Sequence, residues 1–98
     1  MFQTGRRAAH PFVIALVAST PEERGPEGRV AFIAGKRIGG AVARNRAKRV
    51  LRAVARRLGA PWPGYDVVLL AREATGSAPS AELERATADV LRRQGVLR

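Results

Sequence analysis

The 98-residue chain has few of the residue types that build most catalytic and metal sites. It contains no cysteine, which excludes disulfide bonds and cysteine-ligated zinc. Its single histidine, His10, excludes a site made of several histidines. No apolar run approaches the ~20 residues that a membrane helix requires. Residues 28–65 also contain no Asp or Glu, so every charged side chain in this stretch is basic.

The acid-free stretch contains ten Lys and Arg residues and therefore carries +10, which equals the net charge of the whole chain. The other 60 residues contain eight basic and eight acidic residues, whose charges cancel. An ordinary solvated helix face would intersperse Asp or Glu in i,i+4 pairs with the cations. A block of one sign instead predicts a polyanionic partner, and nucleic acid is the first candidate.

The basic block is predicted to form a helix with one apolar and one cationic face. At 100° per residue, the apolar stripe consists of Ala43, Ala47, Val50, Leu51, Val54 and Leu58. The opposite face consists of Arg44, Asn45, Lys48, Arg49, Arg52 and Arg56. Gly39 and Gly40 precede the helix, and Gly59 followed by Pro61 ends it. The apolar stripe is expected to join the core and to leave the cationic face free for binding.

Three short apolar runs, bounded by turn formers, predict strands over residues 12–18, 29–34 and 65–72. A second helix is predicted from Ser80, with a buried stripe of Leu83, Ala86, Thr87, Val90 and Leu91. The order strand, strand, helix, strand, helix predicts a single α+β domain, a small two-layer sandwich whose central sheet is covered on one face by helices. If the second and third strands are parallel, the helix between them is a crossover, and such crossovers are almost always right-handed.

The titratable residues form no recognisable catalytic constellation. His10 stands beside Pro11, and no Cys, Ser or Lys partner for it can be identified. The carboxylates form no convincing acid–base pair, and the glycine-rich segment 35–40 lacks the spacing of a phosphate-binding P-loop. The sequence therefore predicts no catalytic residue and no metal ligand in the protein.

Residues 36–52 resemble the signature of the bacterial ribonuclease P protein component. The matching residues are Lys36-Arg37-Ile38-Gly39, then Ala41-Val42, then Arg44-Asn45-Arg46-Ala47-Lys48-Arg49 with Arg52. The Arg-Asn-Arg-x-Lys-Arg core is specific where it follows a strand and a Lys-Arg/Lys-x-Gly turn, as it does here. The resemblance continues through residues 64–68 and Ala71-Arg72, and residues 2–6 resemble the segment that closes the family's first helix.

This resemblance implies a fold and a function. The implied fold is an α/β sandwich with a left-handed crossover over residues 1–98, in which the family's N-terminal helix is largely missing. The implied function is that of a ribonuclease P subunit, in which a metal-dependent RNA removes the 5′ leader from precursor tRNA. Mg²⁺ is required by that RNA, whereas the protein binds no cofactor and is inactive alone. The expected partners are ribonuclease P RNA and precursor tRNA, and no membrane is expected to be involved. The protein is expected to be a monomer in the cytoplasm.

The resemblance also assigns residues to two binding surfaces. The RNA-binding residues are Lys36, Arg37, Arg44, Asn45, Arg46, Lys48, Arg49 and Arg52, and Arg56 extends the same helix face. Phe2 and Phe12 match aromatic residues of a leader-binding cleft between the sheet and the first helix. Core packing is an equal alternative for Phe12 and the preferred role for Phe32. Ala15, where relatives often have an aromatic residue, and Gly35, where serine is common, predict a weaker grip on the leader.

Two functions of other classes fit the same charge block. The first is a structural RNA-binding protein of the ribosomal type without a role in cleavage. The second is a DNA-binding module that uses the face from Arg44 to Arg56 as a recognition helix. The second is disfavoured because no short helix precedes this one at helix-turn-helix spacing.

Overall fold

A computed structural model describes residues 6–22 and 27–97 of the chain. It contains four strands and two helices: β1 (Arg6–His10), β2 (Val13–Ser19), β3 (Arg29–Ile33), α1 (Ala41–Arg57), β4 (Tyr65–Ala71) and α2 (Ser80–Arg93). A 3₁₀ turn, Lys36–Ile38, connects β3 to α1. The three predicted strands and both predicted helices are confirmed to within one or two residues at each end.

Strand β1 is an addition to the predicted architecture. Arg6 begins this strand, and residues 2–5, the rest of the segment that resembles the end of the family's first helix, lie outside the described residues. The sequence Arg-Arg-Ala-Ala-His has no β-branched residue and little intrinsic strand propensity. Antiparallel pairing with β2, in which Ala8 lies opposite Ala15, makes it a strand through tertiary contacts.

The four strands form one mixed sheet in the order β1-β2-β4-β3. Strand β2 pairs antiparallel with β4, and Ala15 lies opposite Leu69. Strand β3 pairs parallel with β4, and Phe32 lies opposite the same Leu69. Helix α1 is therefore a crossover between two adjacent parallel strands, as predicted. The left hand of this crossover stays a prediction.

Both helices pack on one face of the sheet. Along β2, the fully buried residues Val13, Ala15 and Val17 alternate with half-buried ones, as expected for a strand with a single core face. These three side chains belong to one cluster with Leu51 of α1 and Leu91 of α2. Among the described residues no helix covers the other face, which we call the open face.

The rotation of α1 agrees with the prediction at its centre and C-terminal half. Leu51 and Val54 are fully buried, and Ala47 is buried beside them. Ala43, which was predicted to join the buried stripe, is exposed because the first turn of α1 extends beyond the core cluster. None of the helices in the described ranges combines the length and hydropathy needed to cross a membrane.

Candidate RNA interface

The predicted RNA-binding residues lie on one continuous piece of backbone, formed by the 3₁₀ turn and α1. We call their combined surface the basic face: Lys36, Arg37, Arg44, Asn45, Arg46, Lys48, Arg49, Arg52 and Arg56. All of them are exposed except Arg44 and Lys48, which are half-buried. Gly39 joins turn to helix with a φ of 130°, a conformation that side-chain-bearing residues rarely adopt. The glycine thus lets the turn run directly into the helix.

The charge of the basic face is not neutralised by any carboxylate among the described residues. In the part of the chain that the structure describes, none of its eight cations lies within ion-pair distance of a carboxylate. Other arginines do find carboxylates: Arg57 of α1 pairs with Glu84 of α2, and Arg93 pairs with Asp89 within α2. The absence of acids between residues 28 and 65 therefore becomes an uncompensated positive surface, which favours a polyanion.

A groove of about 710 Å³ lies on the open face, at the end of the sheet where β3 and β4 finish. Apolar residues from three strands line it: Ile14, Ile33 and Leu70. Cationic residues also line it: Arg7, Lys36, Arg37 and Arg72. Lys36 and Arg37 thus belong both to this groove and to the basic face, so the two surfaces meet at the 3₁₀ turn. Glu73 is the one carboxylate among the described residues that line it.

Sequence reasoning did not assign Arg7 or Arg72 to a site. Arg7 lies on the unpredicted strand β1, and both arginines stand outside the acid-free stretch. The available signal was the alternation along β2, in which Ile14 must point away from the face that buries Val13 and Ala15. That alternation indicates an apolar surface opposite the core, although it does not reveal which cations surround it.

Hydrogen bonds fix the loop that carries Arg72. The side chain of Thr75 is fully buried, and its hydroxyl donates to the carbonyl oxygen of Phe12 and accepts from the backbone N–H of Arg72 at 2.8 Å. The Arg72 guanidinium donates to the carbonyl oxygen of His10 at 3.5 Å. Thr75 therefore ties the end of β4 to the β1–β2 turn and holds one side of the groove.

His10 and Phe12 shape the β1–β2 turn. The Nδ1 atom of His10 accepts a hydrogen bond from the Phe12 backbone N–H at 3.1 Å, and the two rings lie 5.3 Å apart. Phe12 is half-buried against the core and is not among the described residues that line the groove. Its role in leader binding stays a prediction, and Phe2 lies outside the described residues.

Two residues were predicted to weaken the leader cleft. Ala15 is fully buried and belongs to the core cluster on the helix-covered face, so its side chain does not face the groove. Gly35 does line the groove, and a Cβ atom added there would meet nothing within 4 Å. The effect of these residues on leader affinity stays a prediction.

Comparison with known proteins places this arrangement in a family. A family model described as Ribonuclease P matches residues 1–95. The ribonuclease P protein component of Symbiobacterium thermophilum is 38% identical over 101 residues, which cover 99% of this chain and 84% of the relative. The chain belongs to the ribonuclease P protein family. The ribonuclease P protein component of Streptomyces bikiniensis is 41% identical over 88 residues, covering 83% of this chain and 72% of the relative.

Solved structures support the fold of a ribonuclease P protein. The Staphylococcus aureus RNase P protein superposes with a TM-score of 0.81 at 18% identity, covering 99% of this chain and 87% of the other. The RNase P protein from Thermotoga maritima has a TM-score of 0.77 at 21% identity, covering 94% and 86%. The predicted α+β sandwich is therefore confirmed. The predicted function, a protein subunit of the tRNA-processing ribonucleoprotein ribonuclease P, is confirmed at the level of the family.

Proposed function

We propose that the basic face binds ribonuclease P RNA by neutralising its phosphates. The observation that supports this most directly is the eight cations that find no carboxylate in the described chain. Phosphate contacts set the register and orientation of a nucleic-acid complex, and their strength comes from counterion release. The rigid helix beneath the cations presents them at fixed spacing, because its opposite side is locked into the core by Leu51 and Val54.

We further propose that the groove on the open face holds the 5′ leader of precursor tRNA. Its apolar floor, formed by Ile14, Ile33 and Leu70, suits the flat surfaces of unpaired bases, and its cationic lining suits their phosphates. Sequence-tolerant contacts of this kind fit a leader that differs from one tRNA to the next. The resemblance predicts a cleft between the sheet and the family's first helix, and the groove would form the sheet side of that cleft. Contacts of the leader with Phe2 and Phe12 stay predictions.

Catalysis is proposed to belong to the RNA subunit, with Mg²⁺ as its required ion. Within the described ranges, no three His, Cys, Asp or Glu residues gather in a group that could hold a metal ion. The protein's contribution is then positional: one surface binds the RNA and the other orients the leader, so that the scissile bond is held against the RNA. Positive charge between two polyanions also lowers their mutual repulsion. The monomeric state and the cytoplasmic location stay predictions.

Leader removal by a reconstituted particle tests this function. A bacterial ribonuclease P RNA is mixed with precursor tRNA at low Mg²⁺, with and without the full-length chain, and the free leader is quantified. We expect the protein to raise leader removal and the RNA-free protein to cleave nothing. Cleavage by the protein alone would contradict the proposal. Binding without any activation of cleavage would favour the structural, ribosomal-type alternative.

A further inference from the structure

A second, smaller cavity lies between α1 and β3, on the helix-covered side of the sheet. Its volume is about 160 Å³, and it is lined by Val30, Phe32, Arg52, Ala55, Arg56, Ala60 and Pro61. Phe32 and Ile33 are neighbours in β3 and point to opposite faces of the sheet, so this cavity is separate from the groove that Ile33 lines. The function proposed above uses the charges of Arg52 and Arg56 but not the cavity itself.

The size and lining of this cavity restrict what it can hold. Pockets for complete small organic molecules begin at roughly 300 Å³, so about 160 Å³ suits one ring system that belongs to a larger ligand. Among the described residues, its polar lining consists of two cations, Arg52 and Arg56, and includes no carboxylate. An anionic polymer that carries flat rings fits both properties.

Arg52 and the aromatic ring of Phe32, which both line this cavity, are in contact. The Arg52 guanidinium carbon lies over the ring of Phe32, 5.5 Å from the ring centre. Such a contact between a cation and an aromatic face is attractive, and it restrains a side chain that otherwise has much rotamer freedom. The side chain of Arg52 is exposed, so its guanidinium is also open to a ligand. Guanidinium planes are stacking surfaces for unpaired RNA bases.

The opposite wall of the cavity is also fixed. Ala60 and Pro61 form it, and the next residue, Trp62, is buried. The Trp62 indole N–H donates to the carbonyl oxygen of Leu58 at 3.0 Å, which anchors the loop to the end of α1. The cavity is thus bounded by a helix, a strand and an anchored loop, so a ring can enter without ordering a mobile segment.

We propose that this cavity receives one unpaired base of the partner RNA, stacked on Arg52, while Arg56 contacts an adjacent phosphate. Phe32 acts as a positioning residue that holds Arg52 in the stacking orientation. This inference deepens the proposed RNA-binding function and rests on it. The proposed contact depends on a base and not on charge, and it is additional to the phosphate contacts of the basic face.

Salt dependence separates the two kinds of contact. Affinity for a bacterial ribonuclease P RNA is measured at several salt concentrations. Phe32→Leu keeps an apolar side chain in the core but removes the aromatic face, and Arg52→Lys keeps the charge but removes the guanidinium plane. We expect each to weaken binding about 5-fold to 10-fold, near the lower end for one stacked base, with the salt slope unchanged. The matched control, Arg49→Gln, should instead flatten the slope by about 0.7 to 0.9.

Footprinting identifies the base. The RNA is probed with dimethyl sulfate and a 2′-hydroxyl acylating reagent at saturating protein. The wild-type chain should protect one unpaired nucleotide that both variants leave reactive, with the rest of the footprint retained. A footprint identical for wild type, Phe32→Leu and Arg52→Lys would overturn the inference alone. The absence of any saturable wild-type footprint would overturn the proposed RNA binding as well. If Phe32→Leu fails to fold, Arg52→Lys decides, because its side chain lies outside the core.

Discussion

Leu51 and Arg52 are neighbours in α1, yet the Leu51 side chain is fully buried in the core and the Arg52 side chain is exposed over the ring of Phe32. The 100° between successive helical residues places them on different sides of the same helix. One side holds the fold together and the other offers charge to a partner. Single substitutions at these two positions should therefore have separable effects.

Leu51→Ala should destabilise the fold. Truncating a fully buried leucine removes apolar contacts and leaves a cavity, which costs about 2–5 kcal/mol. A domain of this size has only ~5–15 kcal/mol of unfolding free energy, so chemical denaturation should detect the loss clearly. At a temperature where the variant remains folded, its RNA affinity should be close to that of the wild type.

Arg52→Ala should have the opposite profile. Its contact with Phe32 is worth roughly 0.5–1 kcal/mol at an exposed position, so thermal melting should change little. RNA binding, measured by filter retention, should weaken because one cation of the basic face and the stacking surface are both lost. If Arg52→Ala unfolded the protein while Leu51→Ala only reduced RNA affinity, the assignment of the two helix sides would be wrong.

The affinity for RNA should fall steeply with salt concentration. Neutralisation of about five phosphates by the basic face predicts a slope of roughly −3.5 to −4.5 in a plot of log affinity against log salt concentration. Titrations between low and moderate ionic strength measure this slope directly. A flat dependence would contradict an interface made of Lys36, Arg37 and the cations of α1.

Thr75→Val should loosen the end of β4. The substitution keeps the side-chain shape but leaves the Phe12 carbonyl and the Arg72 N–H without their hydroxyl partner in a part-buried setting. Each unsatisfied group costs about 1–3 kcal/mol. We expect reduced stability in a denaturant melt, whereas Thr75→Ser, which retains the hydroxyl, should recover most of the loss. Equal stability of the valine and serine variants would argue against these hydrogen bonds.

Arg72→Ala should affect the leader and spare the RNA subunit. Arg72 lines the groove and is not part of the basic face. With the variant, the affinity of the particle for precursor tRNA should fall several-fold, while its affinity for tRNA without a leader and the protein's affinity for ribonuclease P RNA should stay unchanged. A parallel loss for all three ligands would place Arg72 in a general electrostatic surface instead of a leader site.

The central helix could be predicted because its sequence carries a strong local signal. Apolar residues such as Leu51 and Val54 recur at helical spacing and alternate with cations, and tertiary structure did not override that pattern. Strand β1 has no comparable signal, since Arg6–His10 gains its structure from pairing with β2. The lining of the groove could not be predicted from the sequence for the same reason. Pairing of the β-strands brings together Arg7, Ile33 and Arg72, which are distant in sequence.

The contact between Phe32 and Arg52 also depends on tertiary structure. Twenty positions separate the two residues, and only the packing of α1 against β3 brings the guanidinium over the ring. From sequence, Phe32 could be assigned to the core, and it does pack against the core cluster. Its second role, as support for a cation of the basic face, follows from an edge strand that leaves one part of the ring accessible.

The 3₁₀ turn Lys36–Ile38 is the corner at which the groove and the basic face meet. From this corner, the 17 residues of α1 extend about 25 Å at 1.5 Å per residue. A leader in the groove and an RNA along the helix would therefore lie at a separation set by the turn, the helix and their packing on the sheet. The protein would then select substrates by the distance that the single strand beside the cleavage point can span, and not by the sequence of that strand.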